Sequence, residues 1–392
     1  MKKIAFLTLS IAATLSLVSC KKDTVTNTVY VTKDSTVYYT LPATYTFANV
    51  NDSDEVKLLT MADQIGAKIN LANTVGGSPV SAQMLKDMFN NTGGYFLDSN
   101  HNYNASGLKL SDYCSPAAIA DFNNYFDSVG LYSQSTVVAN QGVAGVGVSL
   151  ANKKLLLSPN GVFYSQVFKK SIMGIFGHQI ISILTDSIGT SVDNNIVVTG
   201  SGTNLEHNWD KAFGFFGVPV TFPGVTTGAR YWGSYSNQVD AGLGSNTTIM
   251  NAFLKGRAAI SNKDVAGKTT QANVIITTFD QLEAAAIVQE MKETDANIDA
   301  GGDAVAAYGT LSETLGFIRA LKYNTSATRV ITDAQILELE TLLDPVSPNN
   351  PDLYKFVDIN NLTAAQIKAK TDAIRQRVGQ IYGFTPSQLA LQ

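Results

Sequence analysis

From Ser53 to Tyr382, apolar residues recur every three to four positions. Leu58, Leu59, Ala62, Ile65, Ile69 and Ala72 fall on one side of a helix, and residues 80–89 repeat that spacing. Ile119, Phe122, Phe126 and Val129 predict a third helix over 116–131. A long apolar helix is expected over 162–188, followed by helices at 203–216, 228–241, 246–261, 269–297, 303–323, 333–343 and 363–382. Only 141–161 breaks the pattern. There Gly142, Gly145 and Gly147, the run Lys154-Leu155-Leu156-Leu157 and the turn Ser158-Pro159-Asn160-Gly161 predict a glycine-rich loop and one short hairpin. The glycine spacing is wrong for a dinucleotide fingerprint, and no strand precedes it. The expected fold is therefore all-α, a helical bundle of about eleven helices with one short hairpin. No 34-residue self-similarity appears, which speaks against a tetratricopeptide solenoid. The helical body is expected to span 45–392, as one domain or as two packed bundles, 45–200 and 201–392.

Composition narrows the class. Of 392 residues 45% are hydrophobic and 15% charged, with mean hydropathy +0.04, which excludes a disordered chain. No run of eighteen apolar residues follows the first twenty positions, so no spanning helix is expected in the mature body. Lysine and arginine number 28 against 32 acids, with no basic block, so no nucleic-acid partner is expected. Two cysteines and three histidines exclude a cysteine-rich zinc module, a disulfide scaffold and most histidine-rich metal sites.

The start of the chain carries an address. Lys2 and Lys3 precede an apolar stretch from Ile4 to Val18, the form of a signal peptide over 1–19. It ends Leu17-Val18-Ser19-Cys20, the bacterial lipobox pattern, which predicts cleavage before Cys20 and lipid on its sulfur and amine. Each buried methylene adds about 0.8 kcal/mol of membrane affinity, so two or more chains anchor a domain firmly. The expected location is the outer membrane, lipid-anchored, at the cell surface in preference to the periplasmic face, with the bilayer as partner through acylated Cys20. Removing Met1 to Ser19 leaves 26 basic and 32 acidic residues, a charge of −6. Residues 20–44 alternate Thr, Val and Tyr, the composition of an extended tether or of an edge strand. Cys114, beside Ser115-Pro116, is expected to be a small buried hydrophobe at a helix start.

The densest polar segment is Thr203-Asn204-Leu205-Glu206-His207-Asn208-Trp209-Asp210-Lys211. On a helix, Leu205, Trp209, Ala212, Phe213 and Phe216 form a core-facing stripe, and Glu206, His207 and Asp210 share the adjoining flank. An imidazole and a carboxylate three residues apart can bind one divalent metal, iron or zinc, or form an acid–base pair. Thr203 with Glu206 also fits a capping box, and His207 with Asp210 a plain surface pair. Glu283 and Glu290 share a face with Ile276, Phe279 and Ile287, where an acid is costly unless something pairs with it. Glu313 lies on a face of Ala306, Gly309, Gly316 and Ala320, which lets another helix approach closely. Inward acids and a histidine from several helices are how carboxylate-rich metal sites are built in bundles. The alternative is pairing of these acids with Arg257, Arg319 or Lys322. His178, in an apolar helix, reads as a hydrogen-bonded core histidine. The loop from Asp98 opens like a calcium loop, but Tyr103 stands where Gly is needed and Lys109 where Glu is needed. No His-Glu-x-x-His and no Gly-x-Ser-x-Gly occurs, so hydrolase chemistry lacks a motif. Trp209, Arg230, Tyr231, Trp232 and Tyr235 could line a ligand groove or fill a core.

Three stretches carry a resemblance. His207-x-Trp209-Asp210-x-Ala212-Phe213-Gly214-Phe215-x-Gly217, Arg230-Tyr231-Trp232-Gly233, and Ile249-Met250-x-Ala252-Phe253-Leu254-Lys255-Gly256-Arg257-Ala258-Ala259-Ile260 resemble a lipoprotein family of Bacteroidetes known only as a domain of unknown function. Leu311-Ser312-Glu313 and Gly316-Phe317-Ile318 fit the same pattern, so the likeness runs over Tyr45 to Phe384. A weaker resemblance reaches the imelysin proteins, all-helical envelope proteins implicated in iron uptake, whose mark is Gly-x-His-x-x-Glu. His207 stands in place here, with Leu205 for the Gly and Asp210 for the Glu. That likeness implies an imelysin-like bundle that assists iron or iron-containing ligand uptake with a TonB-dependent outer-membrane transporter. Two other readings are a metal-dependent hydrolase using His207 and carboxylates, and a carbohydrate-capture lipoprotein using exposed Trp232 and Tyr235.

Overall fold

The computed structural model describes residues 27–28, 39–98 and 101–391. The expected leader, the expected lipidation site at Cys20 and most of the expected tether lie outside the described residues. Thirteen α-helices occur among those described: α1 Ser53–Asn70, α2 Ala82–Phe89, α3 Pro116–Tyr132, α4 Tyr164–Asp186, α5 Asn204–Phe216, α6 Tyr231–Leu243, α7 Ser245–Ser261, α8 Val265–Asp299, α9 Ala304–Ala320, α10 Asp333–Leu343, α11 Leu353–Phe356, α12 Ala364–Tyr382 and α13 Pro386–Ala390. The fold is all-α, as the periodicity predicts. The two helices beyond the expected eleven, α11 and α13, are four and five residues long, too short to show a period. The hairpin forms where expected, β3 Gly145–Val148 antiparallel to β4 Lys154–Leu157. Asn27–Thr28 (β1) pairs with Thr40–Leu41 (β2). Tyr39 and Leu41 are buried against Ala258 and Ala259 of α7, so the end of the expected tether joins the domain before residue 44.

The helix ends are written locally. Thr203, Thr332, Thr363 and Thr385 each accept from the backbone N–H three residues on, while the Glu or Gln there reaches back to the threonine N–H. Ser115 caps α3, with Pro116 in its first turn. Gly217, Gly244 and Gly383 take left-handed conformations at the C-caps of α5, α6 and α12.

One connected apolar core runs from Tyr45 to Leu391. The 35-residue α8 packs against α7, α9 and α12, and α4 packs against α5, α8 and α9, so helices from both halves of the chain share that core. Two close approaches matter for the site. A Cβ on Gly316 would lie 2.7 Å from Lys170 Cβ and 3.0 Å from the Val167 carbonyl oxygen, so α9 rests directly on α4 there. A Cβ on Gly177 would lie 2.6 Å from Glu283 Oε1, which brings α8 onto α4 one level further along. The small-residue face around Glu313 thus receives the helix that the sequence leaves unnamed. No helix of the described residues is long and apolar enough to cross a membrane.

Candidate functional site

The polar flank of α5 is taken up by an arginine. Arg257 of α7, fully buried, donates from Nε to Asp210 Oδ1 (2.9 Å) and from Nη1 to Glu206 Oε1 (2.5 Å). Tyr45 donates its hydroxyl to the same Asp210 oxygen (2.8 Å) and stacks on Phe213 with 3.8 Å between ring centres. Glu206 closes the capping box with Thr203 and accepts from Ser261 (2.7 Å). Burial raises the Glu206 carboxyl, but hydrogen bonds from the Thr203 N–H, Ser261 and Arg257 outweigh it and hold it below the usual value. Burial pushes Asp210 up to about 6 against the pull of Arg257. His207 is half-buried beside these acids, with Nδ1 unpartnered, and burial and Lys211 lower its pKa. The arrangement is a buried ion cluster that locks the Tyr45 segment, α5 and α7 together.

The acids expected to join His207 and Asp210 lie elsewhere. Glu283 is buried in the core with Asp280 one turn before it. Burial pushes Glu283 well above the usual carboxylate range, and Asp280 up to about 7. Glu290 and Glu313 face a separate cavity. Among the described residues no group of three or more His, Cys, Asp or Glu side chains could hold a metal ion. The expected iron or zinc centre is therefore not assembled from His207, Asp210, Glu206, Glu283, Glu290 and Glu313. Spacing along one helix identified a shared flank correctly, but it could not show that Arg257 fills it. Arg319 and Lys322, the other expected counter-ions, approach Glu340 at 4.0 and 2.7 Å.

The aromatic candidates also divide. Trp209 is buried over Gly256 and donates from Nε1 to the Phe253 carbonyl (3.0 Å). Trp232 is buried against Phe279 and Phe317, donating to the Met173 carbonyl (2.6 Å). Both fill the core, so an exposed platform of Trp232 and Tyr235 does not form. His178 is half-buried and its Nδ1 has no partner, unlike the hydrogen-bonded core histidine expected. Cys114 is half-buried just before the α3 cap, and burial pushes its thiol up to about 12.

What the fold does build is a cavity of about 490 Å³ between α1, α4, α6, α8 and α9. Its wall holds a buried cluster. Lys170 of α4 donates from Nζ to Tyr235 Oη (2.5 Å) of α6 and pairs with Glu313 Oε2 (2.6 Å) of α9; its side chain is 4% exposed and that of Glu313 16%. Nζ also sits 4.5 Å above the Tyr235 ring. The Tyr235 hydroxyl donates to Glu290 Oε1 of α8, with Glu313 Oε2 at 3.0 Å as its other acceptor. Burial, then the Glu313 charge, pushes Glu290 well above the usual carboxylate range. Glu290 Oε2 is buried with no partner. At the rim, Asp63 of α1, Gln166 and Lys169 of α4, Arg230 and Glu293 complete the wall. Burial, then Lys170, lowers Lys169.

Backbone strain marks the same place. Tyr231 opens α6 with φ +47°, a conformation that costs a non-glycine residue of order 1–3 kcal/mol. It sends the Tyr231 hydroxyl to the Leu59 carbonyl (3.2 Å) and the neighbouring Arg230 out to Thr60 Oγ1 (3.0 Å) at the cavity rim. Of the sequence candidates, Tyr231, Tyr235, Arg230, Glu290 and Glu313 thus meet around one cavity. Lys170, Gln166, Asp63, Lys169 and Glu293 were missed. Lys170 carried a signal, since it stands in line with Val167, Met173 and Gly174 on an apolar helix, the same inversion that singled out Glu290 and Glu313.

No curated protein and no solved structure matches this chain. A family model described as "Domain of unknown function (DUF4856)" matches residues 42–385, and the chain therefore belongs to that family.

Proposed function

We propose that this chain is a lipid-anchored envelope protein that binds a small polar organic ligand in the α1/α4/α6/α8/α9 cavity and presents it to an outer-membrane transporter. The lipobox at Cys20 supports the anchor, and the cavity supports the binding role. One observation carries the reading: a lysine and two glutamates, all but withdrawn from solvent, are gathered around a tyrosine hydroxyl at a cavity of small-molecule size. Taking a lysine and a glutamate out of water costs several kcal/mol per ion, and apolar residues of like volume are often as stable or more so. Such a group at a cavity wall is better explained by what it holds than by what it stabilises. The cavity favours an organic ligand over a bare metal ion, so iron uptake fits here only as a metal carried within a chelate.

The test is a Lys170→Met, Glu313→Leu double variant. Wild type and variant are titrated by calorimetry with amino acids, neutral sugars and sugar acids, and both are unfolded in urea. The expected result is stability within about 1 kcal/mol of wild type, or above it, with ligand heats lost. A variant several kcal/mol less stable that keeps the wild-type heats would make the cluster structural and refute the reading.

A further inference from the structure

The unpaired polar atoms of the cavity specify more than its polarity, granted that the cavity is a ligand site. Four buried polar atoms without a hydrogen-bond partner belong to residues of its wall: Arg230 Nε and Nη2, Gln166 Oε1 and Glu290 Oε2. Buried donors and acceptors left open in this way each cost about 1–3 kcal/mol, so several around one cavity mark contacts that something else completes.

They sort into two kinds, donors on Arg230 and oxygens on Gln166 and Glu290. Arg230 spends Nη1 on Thr60, which leaves the Nε–Nη2 edge, the side of the guanidinium that presents two parallel N–H groups. Asp63 Oδ2 stands 3.4 Å from Nη2, an ion pair without the alignment of a hydrogen bond. The Arg230 side chain as a whole is 31% exposed. The other two open atoms differ in character. Gln166 Oε1 accepts only, and Glu290 Oε2 is an open carboxyl oxygen, an acceptor as well.

We infer that the cavity takes a small monocarboxylate bearing hydroxyl or ammonium groups, its carboxylate forked by the Nε–Nη2 edge of Arg230 and its donor groups turned to Gln166 and Glu290. A planar, singly charged group matches one fork whose N–H groups make no hydrogen bond, displacing the loose Asp63 ion pair, and bidentate geometry is what arginine offers and lysine does not. A phosphate dianion fits worse. Lys170 is already paired with Glu313, and Asp63, Glu293 and Glu313 line the same wall, so a second negative charge on the ligand would meet no free counter-ion except Lys169. The shared chemistry has two sources, a sugar acid and an amino acid, and the probes separate them.

The experiment uses the protein lacking only the leader, with D-glucuronate and L-alanine as probes, each against its own amide, D-glucuronamide and L-alaninamide. Calorimetry on the wild type is expected to show one carboxylate binding at least tenfold more tightly than its amide, and which one it is names the source. Arg230→Gln should bring carboxylate and amide within about threefold of each other, and Arg230→Lys, which keeps charge but loses the fork, should recover only part of the preference. Thermal unfolding of both variants checks that the fold is retained. Equal binding of carboxylate and amide, binding of neither carboxylate, or a preference that survives Arg230→Gln overturns the inference. If D-glucose or an amide binds while both carboxylates fail, the cavity remains a ligand site and only its carboxylate specificity falls. If no small polar molecule binds, the proposed function falls with it.

Discussion

Asp280 allows a sharp test of the electrostatics. It is buried on α8 beside Glu283, and burial pushes its pKa from the usual 3.8 up to about 7. The gap is about 3 units, and at 1.36 kcal/mol per unit the ionised form costs the folded state about 4 kcal/mol above pH 7. The sign follows from the direction of the shift. Below about pH 4 the carboxyl is neutral in both folded and unfolded chains and carries no penalty. Between about pH 4 and 7 the unfolded chain ionises while the folded one stays protonated, so stability is lost as pH rises through that window and the loss is complete above about 7. Asp280→Asn keeps the shape and removes the charge. At about 2.1 cal/mol/K per residue, a domain of this size unfolds with about 0.7 kcal/mol/K, so the variant should melt about 6 °C above wild type at pH 8. Near pH 4 the two should coincide. Differential scanning calorimetry from pH 4 to 8 reads this directly. Two melting curves that stay parallel over the whole range would show that Asp280 is not held out of water as the fold implies.

Three further outcomes follow from the packing. Arg257→Met leaves Asp210 buried without its cation and should cost about 3–5 kcal/mol in urea unfolding at pH 7.5; Arg257 pulls the Asp210 pKa down against burial, so without it the acid takes up its proton more readily and the loss should shrink as pH falls. Gly316→Ala places a methyl 2.7 Å from Lys170 Cβ and should cost about 1–3 kcal/mol as α9 is pushed from α4, with weakened binding of any cavity ligand read by calorimetry. His207→Ala removes a half-buried side chain whose Nδ1 has no partner, and should change stability by less than about 0.5 kcal/mol and leave cavity binding intact; lost binding would return the α5 flank to the site.

Local order was legible in the residues themselves. Apolar positions spaced by three and four place the long helices, Thr203, Thr332 and Thr363 mark their starts, and the glycines before Lys154 mark the hairpin, because these depend on backbone geometry within one or two turns. The same logic flagged Glu290 and Glu313 as acids on apolar faces. Partnership was a different matter. Glu206 and Asp210 share a flank with His207 whether a metal or an arginine completes it, and only the approach of α7 through Gly256, which seats Trp209 and delivers Arg257, decides for the arginine. Likewise Lys170, Tyr235, Glu290 and Glu313 come from four helices spread over 144 positions of chain, from Lys170 to Glu313, and meet because Gly316 lets α9 settle on α4. Helix formation answers to neighbours in the chain, whereas a site is set by which faces the core brings together, and that is decided only when the whole bundle closes.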